Sequence, residues 1–177
     1  MTFSLETPRL LLRTLEPNDL DFVALMLADP MVMRFYPRRY SRDEAVMWID
    51  RQHTRYARDG HGLWLAEERA SGEPVGQVGL VMQSVEGEEL PEIGYMLRHL
   101  WWKRGLATAA ACAVRDWAFA ERGYRRVVSL IRPVNSPSRR VAERVGMSRW
   151  KETMHAGLPH EVFSIVRPEG AWPQAPR

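Results

Sequence analysis

Apolar residues recur along the chain with two periods, one typical of strands and one typical of helices. Residues 91–97 alternate, with Glu92 on one face of a predicted strand and Ile93 on the other. Apolar positions three and four apart then predict a helix that begins near Ala107 and stops at Gly123. A strand followed closely by a helix is therefore the best-defined part of the pattern.

The other elements follow from the same two periods and from capping and turn residues. Ser41 and Glu44 form a capping box, which predicts that a helix starts there and stops before Gly60. Further helices are predicted at 16–27 and 135–145, and further strands at 9–14, 62–67, 74–82, 126–131, 148–155 and 160–167. Residues 86–89 are predicted to be an acidic loop before the Glu92 strand. The order is β-α-α-β-β-β-α-β-α-β-β, which indicates one α/β (α+β) domain over residues 1–167 and a loose proline-rich tail over residues 168–177.

Composition narrows the class of protein. A chain of 177 residues with 45% hydrophobic and 27% charged residues is typical of a single globular domain. No apolar run is long enough to span a membrane and no signal-peptide layout is present, so a cytoplasmic protein without membrane partners is expected. The net charge of +3 comes from arginines spread along the chain, which argues against a nucleic-acid partner. The single cysteine, Cys112, excludes an internal disulfide and is expected in the core, and the five histidines show no metal-ligand spacing.

The turn between the Glu92 strand and the alanine-rich helix has the chemistry of an anion site. It contains Lys103, Arg104 and Gly105, and it is followed by the unpaired N–H groups of a helix start. Gly105 allows a ligand to approach the backbone without meeting a Cβ. The turn matches neither a Walker loop nor the G-x-G-x-x-G fingerprint, and by itself it could equally be an ordinary strand–helix connection.

Two motifs resemble the GNAT superfamily of N-acetyltransferases. Residues 102–107, W-K-R-G-L-A, resemble its pyrophosphate loop [QR]-x-x-G-x-[GA], with Trp102 at the first position as in the Rim-type branch, which acetylates protein N-termini and small amines. Residues 135–147 resemble its second signature, N-x-x-[SA]-x-x-x-x-E-K-x-G-F, with Arg144 for Lys and Met147 for Phe. The resemblance covers residues 5–167.

The resemblance implies a single-domain fold whose mixed, mostly antiparallel sheet is splayed between its fourth and fifth strands, the Glu92 and Val127 strands. Acetyl-CoA would lie in this splay as co-substrate, with no metal. The cofactor-binding residues that it implies are Met96, Leu97, Arg104, Gly105, Leu106, Ala107, Thr108, Ala109, Asn135 and Ser138.

The catalytic candidates are Glu92 and Ser138. Glu92 is the best candidate for a base that accepts the amine proton through water, although a surface charge at a strand end is the alternative interpretation. Many relatives place a tyrosine acid four residues after the Ser138 position, but this chain has Ala142 there. Ser138, a water molecule or no group at all would then protonate the departing thiolate.

The acceptor side is less defined. Phe35 and Tyr36 lie in an irregular aromatic segment and His160 precedes the last strand, so these three are candidates to bind the acceptor. Each has a purely structural alternative, at a core edge for the aromatic residues and inside the fold for His160.

The chain is therefore interpreted as an N-acetyltransferase that moves acetyl from acetyl-CoA to a primary amine, either a protein N-terminus or a small molecule. A non-catalytic acyl-CoA sensor is the alternative, because Ala142 removes the expected acid. Either a monomer or a homodimer is compatible with the sequence.

Overall fold

The computed structural model of the chain describes residues 3–170. Its helices and strands, in chain order, are β1 Ser4–Glu6, β2 Leu10–Arg13, α1 Leu20–Ala28, α2 Arg42–Asp59, β3 Leu63–Glu68, β4 Pro74–Val85, β5 Glu88–Leu97, α3 Leu106–Ala120, β6 Arg126–Ile131, α4 Ser136–Arg144, β7 Ser148–His155 and β8 Leu158–Val166. None of the helices in this part of the chain is long and apolar enough to cross a membrane.

The strands form one eight-stranded sheet in the order β1-β2-β3-β4-β5-β6-β8-β7. Neighbouring strands are antiparallel everywhere except between β5 and β6, which are parallel and are joined by α3. This arrangement confirms the predicted mixed α/β fold. The splay falls between the fifth and sixth strands in the complete count, because the sequence pattern did not reveal the three-residue β1.

Strands β5 and β6 separate after a single register pair, Glu92 opposite Val128. Beyond that pair, the hydrogen bonds between β5 and β6 involve side chains instead of backbone groups alone. The Ser129 hydroxyl donates to the Ile93 carbonyl at 2.8 Å, and the Leu130 N–H donates to Glu92 Oε1 at 3.1 Å. The two strands are thereby held together around Glu92 and Val128 and share no further register pair, as the predicted splay requires.

The two larger of the three hydrophobic clusters in the described chain lie on opposite faces of the sheet. Ile93 and Leu97 of β5 pack into the larger core, which also contains Val114 and Phe119 of α3. Met96 points the other way, into the core that α1 and α2 form against the sheet. The alternation predicted for β5 therefore directs successive side chains to the two faces of the sheet, one covered by α3 and the other by α1 and α2.

Several element boundaries differ from the sequence predictions. The predicted acidic loop is only a two-residue turn at residues 86–87, since Glu88 already belongs to β5, and β4 extends to Val85. Strand β8 begins at Leu158 instead of residue 160, because Ala156 adopts a positive φ of 49° and closes the β7–β8 hairpin earlier. The capping box at Ser41 is confirmed, and Cys112 is partly buried against the larger core as expected. Most of the predicted tail lies outside the described residues.

Candidate functional site

Two cavities meet at the open end of the splay. The larger cavity, about 740 Å³, lies between the end of β5, the start of α3 and α4. The smaller cavity, about 470 Å³, lies over β4 and β5, between α2 and the β7–β8 turn. The residues that line both cavities, and so mark their junction, are Phe35, Tyr36, Tyr95, Met96, Asn135 and Ser138.

The start of α3 presents free N–H groups to the larger cavity. Gly105 occupies the N-cap position with φ of 77°, a conformation that residues with a Cβ adopt only with strain. The first helical hydrogen bond joins the Ala109 N–H to the Gly105 carbonyl at 3.0 Å. The N–H groups of Leu106, Ala107 and Thr108 therefore have no partner within the helix, and all three residues line the cavity, where the helix dipole adds positive potential.

Cationic side chains surround the same space. The larger cavity is lined by Arg34, Lys103, Arg140 and Arg144, and no Asp or Glu of the described chain lines it. Together with the helix start, these cations suit a polyanion such as a pyrophosphate. Sequence reasoning singled out only Lys103 among them, since arginines are spread along the whole chain and only their position in the fold shows that Arg34, Arg140 and Arg144 face the cavity.

Two of the predicted cofactor-binding residues do not line the larger cavity. The Arg104 guanidinium stacks on the Trp101 ring, 4.7 Å from its centroid, and the Arg104 carbonyl accepts a hydrogen bond from Arg9. Ala109 has already used its N–H within α3. The other predicted residues do line it, including Leu97 and Met96 from β5.

The start of α4 is held by two hydrogen bonds at the junction of the cavities. Asn135 Oδ1 accepts from the Ser138 N–H at 3.2 Å, which makes Asn135 the N-cap of the helix. The Tyr95 hydroxyl crosses the splay from β5 and donates to the Ser138 carbonyl at 2.8 Å. Within residues 3–170 no group bonds to the Ser138 hydroxyl, while Ala142 is fully buried and offers no polar group.

Tyr95 lines both cavities, but the sequence analysis assigned it only to one face of a strand and did not select it as a site residue. The alternation gave its side of the sheet correctly, but it carried no information on how far the hydroxyl reaches. Burial raises the pKa of Tyr95, with Glu92 as a smaller contributor, so the phenol stays protonated at neutral pH. Its hydroxyl is thus a hydrogen-bond donor next to the segment where the family motif usually supplies a tyrosine.

Glu92 lies in the middle of β5 and faces the smaller cavity. Its carboxylate accepts hydrogen bonds from Gln83 Nε2 at 2.8 Å and from the Leu130 N–H at 3.1 Å. Burial raises the pKa of Glu92, and these two hydrogen bonds partly oppose the rise. The Glu92 carboxylate is therefore hydrogen-bonded between β4 and β6 within the sheet. The alternative interpretation had been a surface charge at a strand end.

Aromatic and imidazole side chains line the rest of the smaller cavity. Tyr40 and Trp48 extend the wall begun by Phe35 and Tyr36, and His155 and His160 come from the β7–β8 hairpin. The His160 Nδ1 lies 2.9 Å from the Leu158 carbonyl, and burial lowers the pKa of its ring. His155, which the sequence analysis did not select, lies with its ring centroid 5.5 Å from that of His160. In the described part of the chain, no cluster of His, Cys, Asp or Glu could hold a metal ion.

Comparison with known proteins points to one family. Residues 9–148 match the model of the "Acetyltransferase (GNAT) domain" family. The chain is 37% identical over 160 residues to the uncharacterized protein YkkB of Bacillus subtilis (strain 168), a match that covers 90% of this chain and 93% of that protein.

Solved structures show the same fold. An acetyltransferase from Agrobacterium tumefaciens superimposes with a TM-score of 0.81 at 27% identity, covering 93% of this chain and 95% of that chain. RimL, a ribosomal L7/L12 alpha-N-protein acetyltransferase solved in complex with coenzyme A, superimposes with a TM-score of 0.77 at 17% identity, covering 93% and 98% of the two chains.

Proposed function

Because the chain belongs to the GNAT family of acetyltransferases, we propose that it moves acetyl from acetyl-CoA to a primary amine by direct attack of the amine. The observation that carries this proposal is the junction of the two cavities. A cationic cavity with a free helix start and a smaller cavity with a half-buried carboxylate meet at six shared residues, so a donor and an acceptor can each occupy one cavity and react between them.

The larger cavity suits acetyl-CoA as the donor. Its four cations and the N–H groups of Leu106, Ala107 and Thr108 would hold the phosphates, while Met96 and Leu97 line the path toward the junction. The match with a coenzyme A complex of a structural neighbour supports the same donor.

Glu92 would remove the proton from the attacking amine, either directly or through a water molecule. An α-amine with a pKa of about 7.7–8.0 needs only about 1–1.5 kcal/mol to become neutral at pH 7, whereas a lysine amine with a pKa of about 10.4 needs about 4–5 kcal/mol. A carboxylate whose pKa is raised by burial is a better base than an exposed one, because its pKa lies closer to the working pH. Glu92 is therefore best matched to an amine of low basicity.

Ser138 would protonate the departing sulfur. It lines both cavities, its hydroxyl has no protein partner within residues 3–170, and its backbone is fixed by Asn135 on one side and Tyr95 on the other. In this proposal Tyr95 is a positioning residue, since its own proton is donated to the Ser138 carbonyl. Phe35, Tyr36 and His160 would line the acceptor's binding space.

Release of free CoA thiol tests the proposal directly. The protein is incubated with acetyl-CoA and a mixed panel of primary amines, and the acetylated amine is identified by mass spectrometry. Amine-dependent thiol release is expected. Binding of acetyl-CoA without thiol release for any amine would instead support an acyl-CoA sensor, the function that Ala142 favours.

A further inference from the structure

The charged residues that line the smaller cavity are mostly cationic. They are Arg51, Arg55 and Arg132, against the single carboxylate of Glu92. Within residues 3–170, none of these three arginines forms an ion pair, although twelve such pairs occur elsewhere in that part of the chain. The cavity therefore holds positive charge that the protein does not neutralise.

Two of these arginines lie one helical turn apart on α2. Like charges at this spacing repel each other, so Arg51 and Arg55 are an unfavourable pair unless an anion lies between them and the cavity. Arg55 is half-buried, and its one hydrogen bond within the described chain goes to Gln52 Oε1 at 3.2 Å. Burial lowers the pKa of Arg55, and repulsion from Arg51 lowers it further.

Buried donors without partners lie at the same cavity. Gln77 is only 1% exposed, and its Oε1 accepts from Trp48 Nε1 at 2.8 Å, which fixes the orientation of the amide. Its Nε2 then has no partner among the described residues, and the same holds for the Nε of Arg132, another residue that lines this cavity. Because buried donors are rarely left unpaired, these groups are available to an acceptor of hydrogen bonds that enters the cavity.

We propose that the acceptor is a small primary amine that also carries a carboxylate, and that Arg55, Arg132 and Gln77 form the site for this carboxylate. The inference rests on the proposed function and adds the substrate class to it. The amine would approach Glu92, the one acidic residue of the cavity, while the carboxylate faces the arginines. A polycation such as a polyamine would meet three uncompensated arginines and is disfavoured.

A matched acceptor panel tests the inference. Thiol release from acetyl-CoA is measured with free amino acids, with the corresponding amino acid amides, with short peptides amidated at the C-terminus and with spermidine. Amino acids should exceed their amides in kcat/KM by about tenfold to a hundredfold, as expected when a charge-assisted hydrogen bond is lost. The preference would be decisive, since the amides are the less basic amines and react more readily where no carboxylate site exists.

Variants of the arginines connect the preference to the site. Arg55→Gln and Arg132→Gln should each reduce the preference for amino acid over amide, mainly through a higher KM for the amino acid. Arg58→Gln is the matched control, because Arg58 lies on the same helix but is exposed and pairs with Asp59. The control variant should keep the preference of the natural protein.

The outcomes separate the inference from the proposed function. If amides, amidated peptides or spermidine are acetylated as fast as amino acids or faster, the carboxylate site is refuted while acetyl transfer to amines stands. If no amine is acetylated, the proposed function fails, and a thermal shift with amino acids in the presence of CoA still decides the inference. A shift with amino acids but not with amides would support it, and the absence of a shift would refute it.

Discussion

Replacing Glu92 with Gln removes the proposed base while the shape of the site is kept. The Gln side chain can still accept from the Leu130 N–H through its oxygen. The new NH₂ group at position 92 would face Gln83 Nε2. The Gln83 amide has no other hydrogen bond within the described chain, so it can rotate and accept from this NH₂ group through its oxygen. The substitution should therefore leave the junction of β5 and β6 intact.

The expected loss in kcat/KM is about 10²–10⁴-fold at neutral pH, the usual contribution of a general base. This corresponds to about 3–5 kcal/mol of transition-state stabilisation. The loss should become smaller toward pH 9, because a larger fraction of the acceptor amine is then already neutral and needs no base.

The Glu92→Gln variant should lose activity at neutral pH but should not lose stability. Burial raises the folded-state pKa of Glu92 above its unfolded value. Between these two pKa values the folded protein binds more protons than the unfolded chain, so the free energy of unfolding decreases as pH rises through this window. At neutral pH the Gln variant should melt at the same temperature as the natural protein or at a higher one, and this difference should vanish below the unfolded pKa of about 4.3.

The assay is a pH–rate profile of thiol release, measured beside thermal melts at the same pH values. Glu89→Gln is the matched control, since Glu89 lies on the same strand with an exposed side chain. A loss of equal size at every pH would make Glu92 a positioning residue. Unchanged activity, or a lower melting temperature at neutral pH, would refute the reasoning about the Glu92 carboxylate.

Four other substitutions test separate parts of the structure. Gly105→Val should abolish most of the thermal shift that acetyl-CoA causes, which is about 2.7 kcal/mol of stabilisation at a hundredfold excess over Kd. The reason is that φ of 77° disfavours a branched residue and that the valine side chain would obstruct the helix start. An undiminished shift would place the phosphates elsewhere. Ser138→Ala should lower kcat about tenfold with little change in the KM for acetyl-CoA, and equal activity would leave Ser138 a purely structural residue. Tyr95→Phe should lower kcat in natural protein but add little in the Ser138→Ala background, whereas additive losses would assign Tyr95 an independent role. Gly79→Ala should lower the melting temperature by several degrees, since a Cβ would lie 2.1 Å from the Gly62 carbonyl oxygen, and an unchanged melting curve would contradict the close approach of β3 and β4.

Local patterns predicted the elements that local chemistry determines. The capping box at Ser41 and the strand at Arg126–Ile131 were confirmed, because a cap or a short buried run is defined by adjacent residues. Strand β1 was missed because only Leu5 of its three residues packs against the core. The 86–87 turn was taken for a longer loop, since acidic residues at the start of β5 look like loop residues when the pairing with β4 is unknown.

The sequence predicted those site residues that belong to a recognisable motif or to a regular strand alternation. The family motifs selected Ser138 and Asn135, which line both cavities, and alternation separated Glu92 from the strand face that packs against α3; Glu92 lines the smaller cavity. The reach of Tyr95 to α4 depends on how far β5 and β6 diverge, which no local pattern reports. The same reason explains why Arg55 and Arg132, far apart in sequence, could not be recognised as walls of one cavity.

The bond between Glu92 and the Leu130 amide also provides a spectroscopic probe. A backbone N–H that donates to a carboxylate changes its proton and nitrogen chemical shifts when that carboxylate takes up a proton. The Leu130 cross-peak in a ¹H–¹⁵N spectrum should thus follow the titration of Glu92 directly, without any substrate. The ionisation state of this residue can be read in solution from a single backbone resonance, before an acceptor has been identified.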